Sequence, residues 1–199
     1  MIRSALARLA CAATLACAAL LAACDSSPRT PFKGIDVTGA PMGGELRLTD
    51  HNGKPRTLAD FRGKIVAITF GYTQCPDVCP TTLSDWNKAL KLLGQDASRV
   101  QMLFVTVDPK RDKPELLKEY VPAFNPTFLG LYGSEADTHK VEQDFKVYAQ
   151  EKPTTPGHYI MEHDARTYVF DANGKVRLVE APGTAPDAIA SDLRLLLNG

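Results

Sequence analysis

The chain has 199 residues, and 44% of them are hydrophobic, which suits one globular domain with a buried core. Its 23 basic and 23 acidic side chains cancel to a formal net charge of zero. A protein that binds nucleic acid through its phosphates presents a basic face. The composition therefore predicts no nucleic-acid partner.

The N-terminus has the pattern of an export signal. Residues 1–23 contain Arg3 and Arg8, no acidic residue, and an apolar run that is short for a transmembrane helix. The run ends in Leu-Ala-Ala-Cys, which resembles the lipobox of bacterial lipoproteins, where the signal is removed before the cysteine and the thiol receives lipid. We predict a lipoprotein signal peptide over 1–23 and lipidation of Cys24. The alternative is an ordinary signal that leaves Cys24 as a free thiol.

Residues 24–44 are rich in serine, proline, threonine and glycine, which is typical of a linker. We predict that they are the lipid anchor and tether, that their second half can pack on the domain, and that the domain covers 45–199. Asp25 after the modified cysteine resembles an inner-membrane retention signal of some bacteria. The prediction is therefore a bacterial inner-membrane lipoprotein whose domain faces the periplasm.

Apolar periodicity predicts that strands alternate with helices after the tether. A loop rich in proline and threonine follows over 151–158, and then a hairpin over 165–180 around Asn173-Gly174. This order predicts a mixed central sheet flanked by helices with a C-terminal hairpin, and the thioredoxin-like α/β fold fits it. Strands are predicted over 45–50, 64–70, 99–107 and 127–131, and helices over 80–93, 113–124, 135–147 and 186–197.

Cys75 and Cys79 are the two thiols left in the domain, within GYTQCPDVCP directly after the strand over 64–70. Pro80 suits the first turn of a helix, so Cys75 is expected in the strand-to-helix loop and Cys79 at the helix N-terminus. Open α/β sheets bind ligands at this edge. Because a helix N-terminus stabilises a thiolate, we expect the pKa of Cys79 to lie below that of a free thiol.

Three residues separate the two cysteines, one more than in a thioredoxin-type redox pair. This spacing can close a disulfide, which is common in exported proteins, or point two thiolates at a metal. Two thiolates suit Cu(I), and an added imidazole suits Cu(II). Structural zinc is less favoured, because it usually takes four protein ligands.

A third metal ligand has to come from the four histidines of the chain. His51 adjoins an Asn-Gly turn and is expected to be solvated, and His139 is expected on the exposed face of a polar helix. His158 and His163 flank the start of the hairpin, which in a thioredoxin-like sheet lies beside the active-site loop. The residues alone leave the choice between these two open, with His163 slightly favoured.

Residues 71–83, GYTQCPDVCPTTL, closely resemble the signature of the Sco/SenC family of copper-binding, thioredoxin-fold proteins. The segments FVTVDPKRDKPELLKEYV and YIMEHDARTYVFDANGKV also resemble family segments, in the family's order. The resemblance implies that the copper ligands are Cys75, Cys79 and His163. Glu162 stands where the family commonly has aspartate, and it keeps the charge on a longer arm. Asp77 is expected either to tune the site or to be a solvated loop carboxylate.

The resemblance implies a metallochaperone that passes copper to the CuA centre of cytochrome c oxidase subunit II, or that reduces the cysteines of that subunit. A copper donor and a periplasmic thioredoxin-like reductant would then be partners, because copper needs both thiols reduced. Two enzymes remain as alternatives. One is a thiol–disulfide oxidoreductase with Cys75 and Cys79 as its catalytic pair, and the other is a peroxiredoxin-like thiol peroxidase.

Overall fold

The structure is a computed structural model that describes residues 31–198. The predicted signal peptide and Cys24 lie outside the described residues. Ten strands, β1 to β10, are present within these bounds: Ile35–Asp36, Leu48–Asp50, Pro55–Arg56, Ile65–Gly71, Val100–Thr106, Leu129–Tyr132, Ala149–Pro153, Tyr159–His163, Thr167–Phe170 and Val176–Glu180. Four α-helices, α1 to α4, cover Val78–Leu93, Pro114–Phe124, Glu135–Phe145 and Pro186–Asn198, and two short 3-10 helices cover Leu58–Phe61 and Gly94–Arg99.

Eight strands form one sheet in the order β1-β10-β9-β4-β5-β6-β2-β3. β4, β5 and β6 are parallel, whereas β9 and β10 pair antiparallel beside β4. Parallel neighbours need a crossover connection, and α1 and α2 supply the two crossovers. The predicted mixed central sheet flanked by helices is therefore confirmed.

The core lies on both faces of the sheet, which explains why β4 and β5 are apolar and buried along their whole length. Val66, Ile68 and Phe70 of β4 point to the face that α3 covers. Ile65 and Ala67 point to the opposite face, where α1, α2 and α4 pack. The strand predicted over 64–70 is thus a central strand that is buried on both faces. Its carboxyl end leads directly into the cysteine segment.

The second half of the 24–44 segment packs on the domain. Ile35–Asp36 pairs antiparallel with β10, and the backbone N–H groups of Lys33 and Gly34 donate to the carboxylate of Asp192 in α4 at 2.7–2.9 Å.

None of the helices between residues 31 and 198 has the length and apolar character needed to cross a membrane.

The predicted loop over 151–158 is wrong in part. β7 runs through Pro153 and pairs antiparallel with β8, so that only residues 154–158 form the turn of a separate two-stranded hairpin. β7 is polar and mostly exposed, and therefore lacks the apolar alternation that marks a strand. This hairpin, which we call the β7–β8 hairpin, carries His163 at its end.

Candidate metal centre

The end of β4 and the start of α1 position the two cysteines. Cys75 lies in the loop between them and Cys79 lies in the first turn of α1, as the sequence predicts. The approach of the helix to the strand is close. A Cβ atom on Gly71 would lie 2.7 Å from the Cys79 Sγ atom and 2.8 Å from the Phe104 ring, so glycine is required at the last position of β4.

The structure brings Cys75, Cys79 and His163 together. Their Sγ and imidazole nitrogen atoms all lie within 4.8 Å of one another, and the Cys79 Sγ atom lies 3.6 Å from the His163 Nε2 atom. Both cysteines are free thiols. Of the residues that the structure describes, no others form such a group of three. Two soft sulfurs and one imidazole form a donor set that copper accepts in either oxidation state.

The orientation of His163 is fixed through its second ring nitrogen. Nδ1 lies 2.9 Å from the backbone carbonyl oxygen of Asp164. A carbonyl only accepts, so Nδ1 carries a proton, and in the neutral imidazole the lone pair lies on Nε2, which faces Cys79. The Tyr72 ring packs edge-on against the imidazole, with 5.7 Å between the ring centroids. Nε2 is thus the ring nitrogen that is oriented to bind a metal beside the two sulfurs.

The two thiols have different acidities. The pKa of Cys75 is lowered to about 5, because its sulfur accepts hydrogen bonds from the Cys79 thiol and from backbone N–H groups. The pKa of Cys79 is raised, because this thiol donates to Cys75 and is only 5% exposed. The expectation that the pKa of Cys79 lies below that of a free thiol is therefore wrong. Burial and the shared hydrogen bond outweigh the helix N-terminus, and Cys75 is the thiolate.

Asp112 anchors the cysteine loop, and sequence reasoning did not assign it a role. This carboxylate is 1% exposed and accepts hydrogen bonds from the Thr73 N–H at 3.0 Å, the Thr73 hydroxyl at 2.6 Å and the Thr106 hydroxyl at 2.6 Å. Thr106 ends β5, so the loop before Cys75 is tied to the neighbouring strand. The available signal was the VDPKRD run after β5, which carries Asp112.

The other three histidines lie away from the cysteines. His158 is exposed in the turn of the β7–β8 hairpin, and His139 is exposed on α3, where its Nδ1 atom lies 2.9 Å from Glu142. The expectation that His51 is solvated is wrong, because it is 7% exposed. Its Nδ1 atom accepts a hydrogen bond from the Gly130 N–H at 3.0 Å, and burial lowers its pKa.

Two acidic side chains beside the site, those of Glu162 and Asp77, are exposed. Glu162 lies on the outer face of β8, where it pairs with Lys152 and accepts a hydrogen bond from the Tyr148 hydroxyl. It makes no hydrogen bond to His163 among the described residues, and the backbone carbonyl of Asp164 holds the imidazole instead. The side chain of Asp77 is exposed.

Comparison with known proteins agrees with this geometry. Residues 36–198 match the sequence model of the family described as SCO1/SenC. The chain belongs to the SCO1/SenC family. The SCO2-like protein of Rickettsia felis is 37% identical over 154 residues, which cover 75% of this chain and 75% of that protein. The mitochondrial SCO2 homologue of Danio rerio is 40% identical over 134 residues, which cover 66% of this chain and 48% of that protein.

A solved SCO1/SenC structure closely resembles the domain. Copper-bound ScoI of Bradyrhizobium japonicum is 41% identical with a TM-score of 0.73, and the match covers 78% of this chain and 99% of that one. This likeness confirms the thioredoxin-like fold and the assignment to the family.

Proposed function

We propose that this SCO1/SenC protein is a membrane-anchored periplasmic copper chaperone that assists assembly of the CuA site in cytochrome c oxidase. The observation that carries the proposal is the convergence of Cys75, Cys79 and His163 from segments far apart in the chain. A dithiol enzyme has no need of the histidine. The copper-bound ScoI relative supports copper as the cargo, and the resemblance to the SCO1/SenC family supports the role in oxidase assembly.

Copper is the cargo, and the three ligands divide its two oxidation states. Two thiolates hold Cu(I) in a low-coordinate arrangement, and the imidazole adds the nitrogen donor that Cu(II) prefers. Cu(II) with two thiolates and a neutral imidazole has no net charge, whereas Cu(I) leaves one negative charge. A neutral site is easier to bury. Cys79 is buried and Cys75 is half-buried, so an incoming ligand would reach the metal from the Cys75 side.

Copper loading and disulfide formation compete for the same two sulfurs. A Cys75–Cys79 disulfide removes both thiolates, so copper binding requires the pair to be reduced. In the oxidising periplasm this reduction would come from a thioredoxin-like partner, and a second partner would donate the copper. Cytochrome c oxidase subunit II would receive it.

The proposed location depends on residues outside the described part of the chain. The Leu-Ala-Ala-Cys sequence supports lipidation at Cys24, and two or three acyl chains anchor a protein stably where one is marginal. When the whole chain is expressed in a bacterium, mass spectrometry of the processed protein is expected to find a lipidated N-terminus at Cys24. An unmodified N-terminus, or recovery in the soluble fraction, would contradict the anchor.

A thiol–disulfide oxidoreductase is the second candidate, and the opposite pKa shifts of the two cysteines favour it. Cys75 is a half-buried thiolate with a pKa of about 5, and Cys79 is a protonated thiol beside it, which are the properties of an attacking and a resolving cysteine. In this role the pair would reduce the cysteines of the oxidase subunit.

A single comparison separates the two candidates. The reduced domain is titrated with Cu(I) and with Cu(II), and the metal-free protein is assayed for insulin reduction. Tight binding of one copper per chain with slow insulin reduction supports the chaperone. Rapid insulin reduction without stoichiometric copper binding supports the oxidoreductase.

A further inference from the structure

His163 ends β8, which lies outside the main sheet, and from there the chain enters β9 at Thr167 beside β4. β7 and β8 form their own two-stranded sheet, separate from the eight-stranded one. Within residues 31–198, no ladder of backbone hydrogen bonds joins the hairpin to the main sheet, so side-chain contacts add to the link with β9 in holding it against the cysteine loop. Tyr159 and Met161 lie on the same face of β8 as His163, with Tyr159 at the opposite end of the strand. Any residue that bridges the loop and the hairpin consequently influences where the imidazole lies.

Arg111 makes such a bridge with a single nitrogen. Its Nη1 atom donates to the Gln74 side-chain oxygen at 3.2 Å and to the Tyr159 backbone carbonyl at 2.9 Å. Gln74 directly precedes Cys75, and Tyr159 begins β8. The guanidinium carbon also lies 3.7 Å from the centroid of the Tyr159 ring, so the side chain stacks on the hairpin.

The Asp108 carboxylate holds the Arg111 side chain in place. This carboxylate, which is buried, accepts from Nε of Arg111 and from the Tyr159 hydroxyl at 2.8 Å. The Asp108 N–H donates to the Thr106 hydroxyl at 3.0 Å, which ties the group to the end of β5. Arg111, Asp108 and Tyr159 thus form a connected set, which we call the arginine clamp.

The clamp reaches the histidine through one further aromatic residue. The Arg111 guanidinium carbon lies 5.6 Å from the centroid of the Tyr72 ring. That ring contacts His163 edge-on, with 5.7 Å between the ring centroids. Two links therefore join the loop to the hairpin on the same side of the metal site.

We propose that Arg111 is a positioning residue, which holds the β7–β8 hairpin on the cysteine loop and so places the His163 imidazole within reach of the two sulfurs. This inference rests on the proposed copper function for its consequence, but the placement itself is a property of the metal-free protein. It assigns Arg111 a role distinct from that of the three ligands. Loss of the clamp would weaken Cu(II) binding, which needs the imidazole, more than Cu(I) binding.

The neighbouring lysine provides a matched control. Lys110 also contacts the hairpin, through an ion pair with Glu151 of 2.5 Å, but both side chains are more than 40% exposed. Exposed ion pairs contribute little. Lys110→Met therefore removes a charge and a hairpin contact at the adjacent position without touching the clamp.

The test compares Arg111→Met, Arg111→Lys and Lys110→Met in the reduced protein. In the metal-free state, proton NOEs between the Tyr72 and His163 rings report the placement directly. We expect Arg111→Met to lose them and Lys110→Met to keep them. With copper, Arg111→Met is expected to weaken Cu(II) binding roughly tenfold or more, as for other residues that orient a metal ligand. Cu(I) affinity should change less than about threefold, because both thiolates remain.

The results distinguish failure of the arginine clamp from failure of the proposed copper function. If Arg111→Met keeps the NOEs and binds Cu(II) as the wild type does, the clamp is overturned and the copper function stands. If the wild type binds no copper, the proposed function fails, and the NOEs still decide the placement. Should Arg111→Met not fold, Arg111→Lys and Tyr159→Phe each remove part of the clamp. Wild-type NOEs and Cu(II) affinity in both would overturn it, and an intermediate loss in both would support it.

Discussion

The Nε2 atom of His163 lies 3.6 Å from the Sγ atom of Cys79, although 84 positions separate the two residues in the chain. The cysteine lies in the first turn of α1 and the histidine ends β8, so the fold alone produces the contact. Nδ1 is held by a backbone carbonyl, which leaves Nε2 as the atom that faces the sulfur. The fold thus places an oriented imidazole beside two thiols, which is the donor set of the proposed copper site.

Replacing either cysteine is expected to abolish tight binding of both copper states. Cys75→Ser and Cys79→Ser each leave one thiolate, and a hard hydroxyl is a poor substitute for a soft sulfur. Titration of each reduced variant with Cu(I) and Cu(II) checks this expectation. Wild-type affinity in either serine variant would rule out a site with two thiolate ligands.

Cys75 is expected to react as a thiolate in mildly acidic solution. Because its pKa is lowered to about 5, its rate of alkylation by iodoacetamide should be nearly constant above pH 6 and fall as the pH drops through 5. Cys79, buried and protonated, should react slowly. Mass spectrometry of the modified peptides resolves the two rates.

The matched variant for this experiment is Cys79→Ala, which removes the thiol that donates to Cys75. The pKa of Cys75 should then move upward, and its alkylation should become slower at pH 6. A Cys75 rate in the wild type that still climbs steeply between pH 7 and 9 would show an ordinary thiol.

Local sequence predicted the elements that carry the cysteines, because β4 and α1 each have a clear apolar pattern next to the pair. The β7–β8 hairpin was missed since β7 is polar on both faces and packs on no other strand of the main sheet. His51 was misjudged because its partner, Gly130, lies 79 positions away. Contacts of this kind depend on the assembled fold, and no local pattern records them.

Which of the two thiols has the lower pKa could also not be predicted without the structure. The sequence places Cys79 at a helix N-terminus, which by itself favours its thiolate. It does not show that this sulfur is buried and donates to Cys75. The role of Asp112 likewise depends on the fold, which brings the Thr73 and Thr106 hydroxyls to the two oxygens of its carboxylate.

Removing the Asp112 carboxylate is expected to loosen the cysteine loop. Asp112→Ala leaves the Thr73 N–H and two hydroxyl groups without their acceptor, and we expect the free energy of unfolding to fall by at least about 2 kcal/mol. Asp77→Ala changes an exposed carboxylate in the same loop and should stay within about 0.5 kcal/mol of the wild type. Urea unfolding of the reduced proteins measures both, and equal stabilities would contradict the anchoring role.

Glu180 is expected to make the domain less stable as the pH rises from about 4.5 to about 7. It is 2% exposed, and burial together with the nearby Asp192 carboxylate raises its pKa to about 7. The folded state therefore holds a proton that the unfolded chain loses near pH 4.5. Stability from this group is present at low pH and is lost as the pH rises from the unfolded to the folded pKa, by about 3 kcal/mol in all.

Glu180→Gln tests this dependence, because an amide stays neutral at every pH. The variant should be more stable than the wild type at pH 8, with a smaller difference between pH 5 and pH 8. Glu119→Gln, on the exposed side of α2, is the control and should keep the wild-type profile. Parallel profiles for the wild type and Glu180→Gln would contradict a buried protonated carboxyl.

Titration of His163→Ala and His158→Ala with each copper state tests the three-ligand site most directly. Cu(I) needs only the two thiolates, so His163→Ala should keep most Cu(I) affinity while losing Cu(II) affinity and the thiolate-to-Cu(II) absorption band. His158→Ala alters an exposed turn and should match the wild type in both states. Retention of the Cu(II) band in His163→Ala, whether or not His158→Ala loses it, would remove His163 from the site and contradict the account.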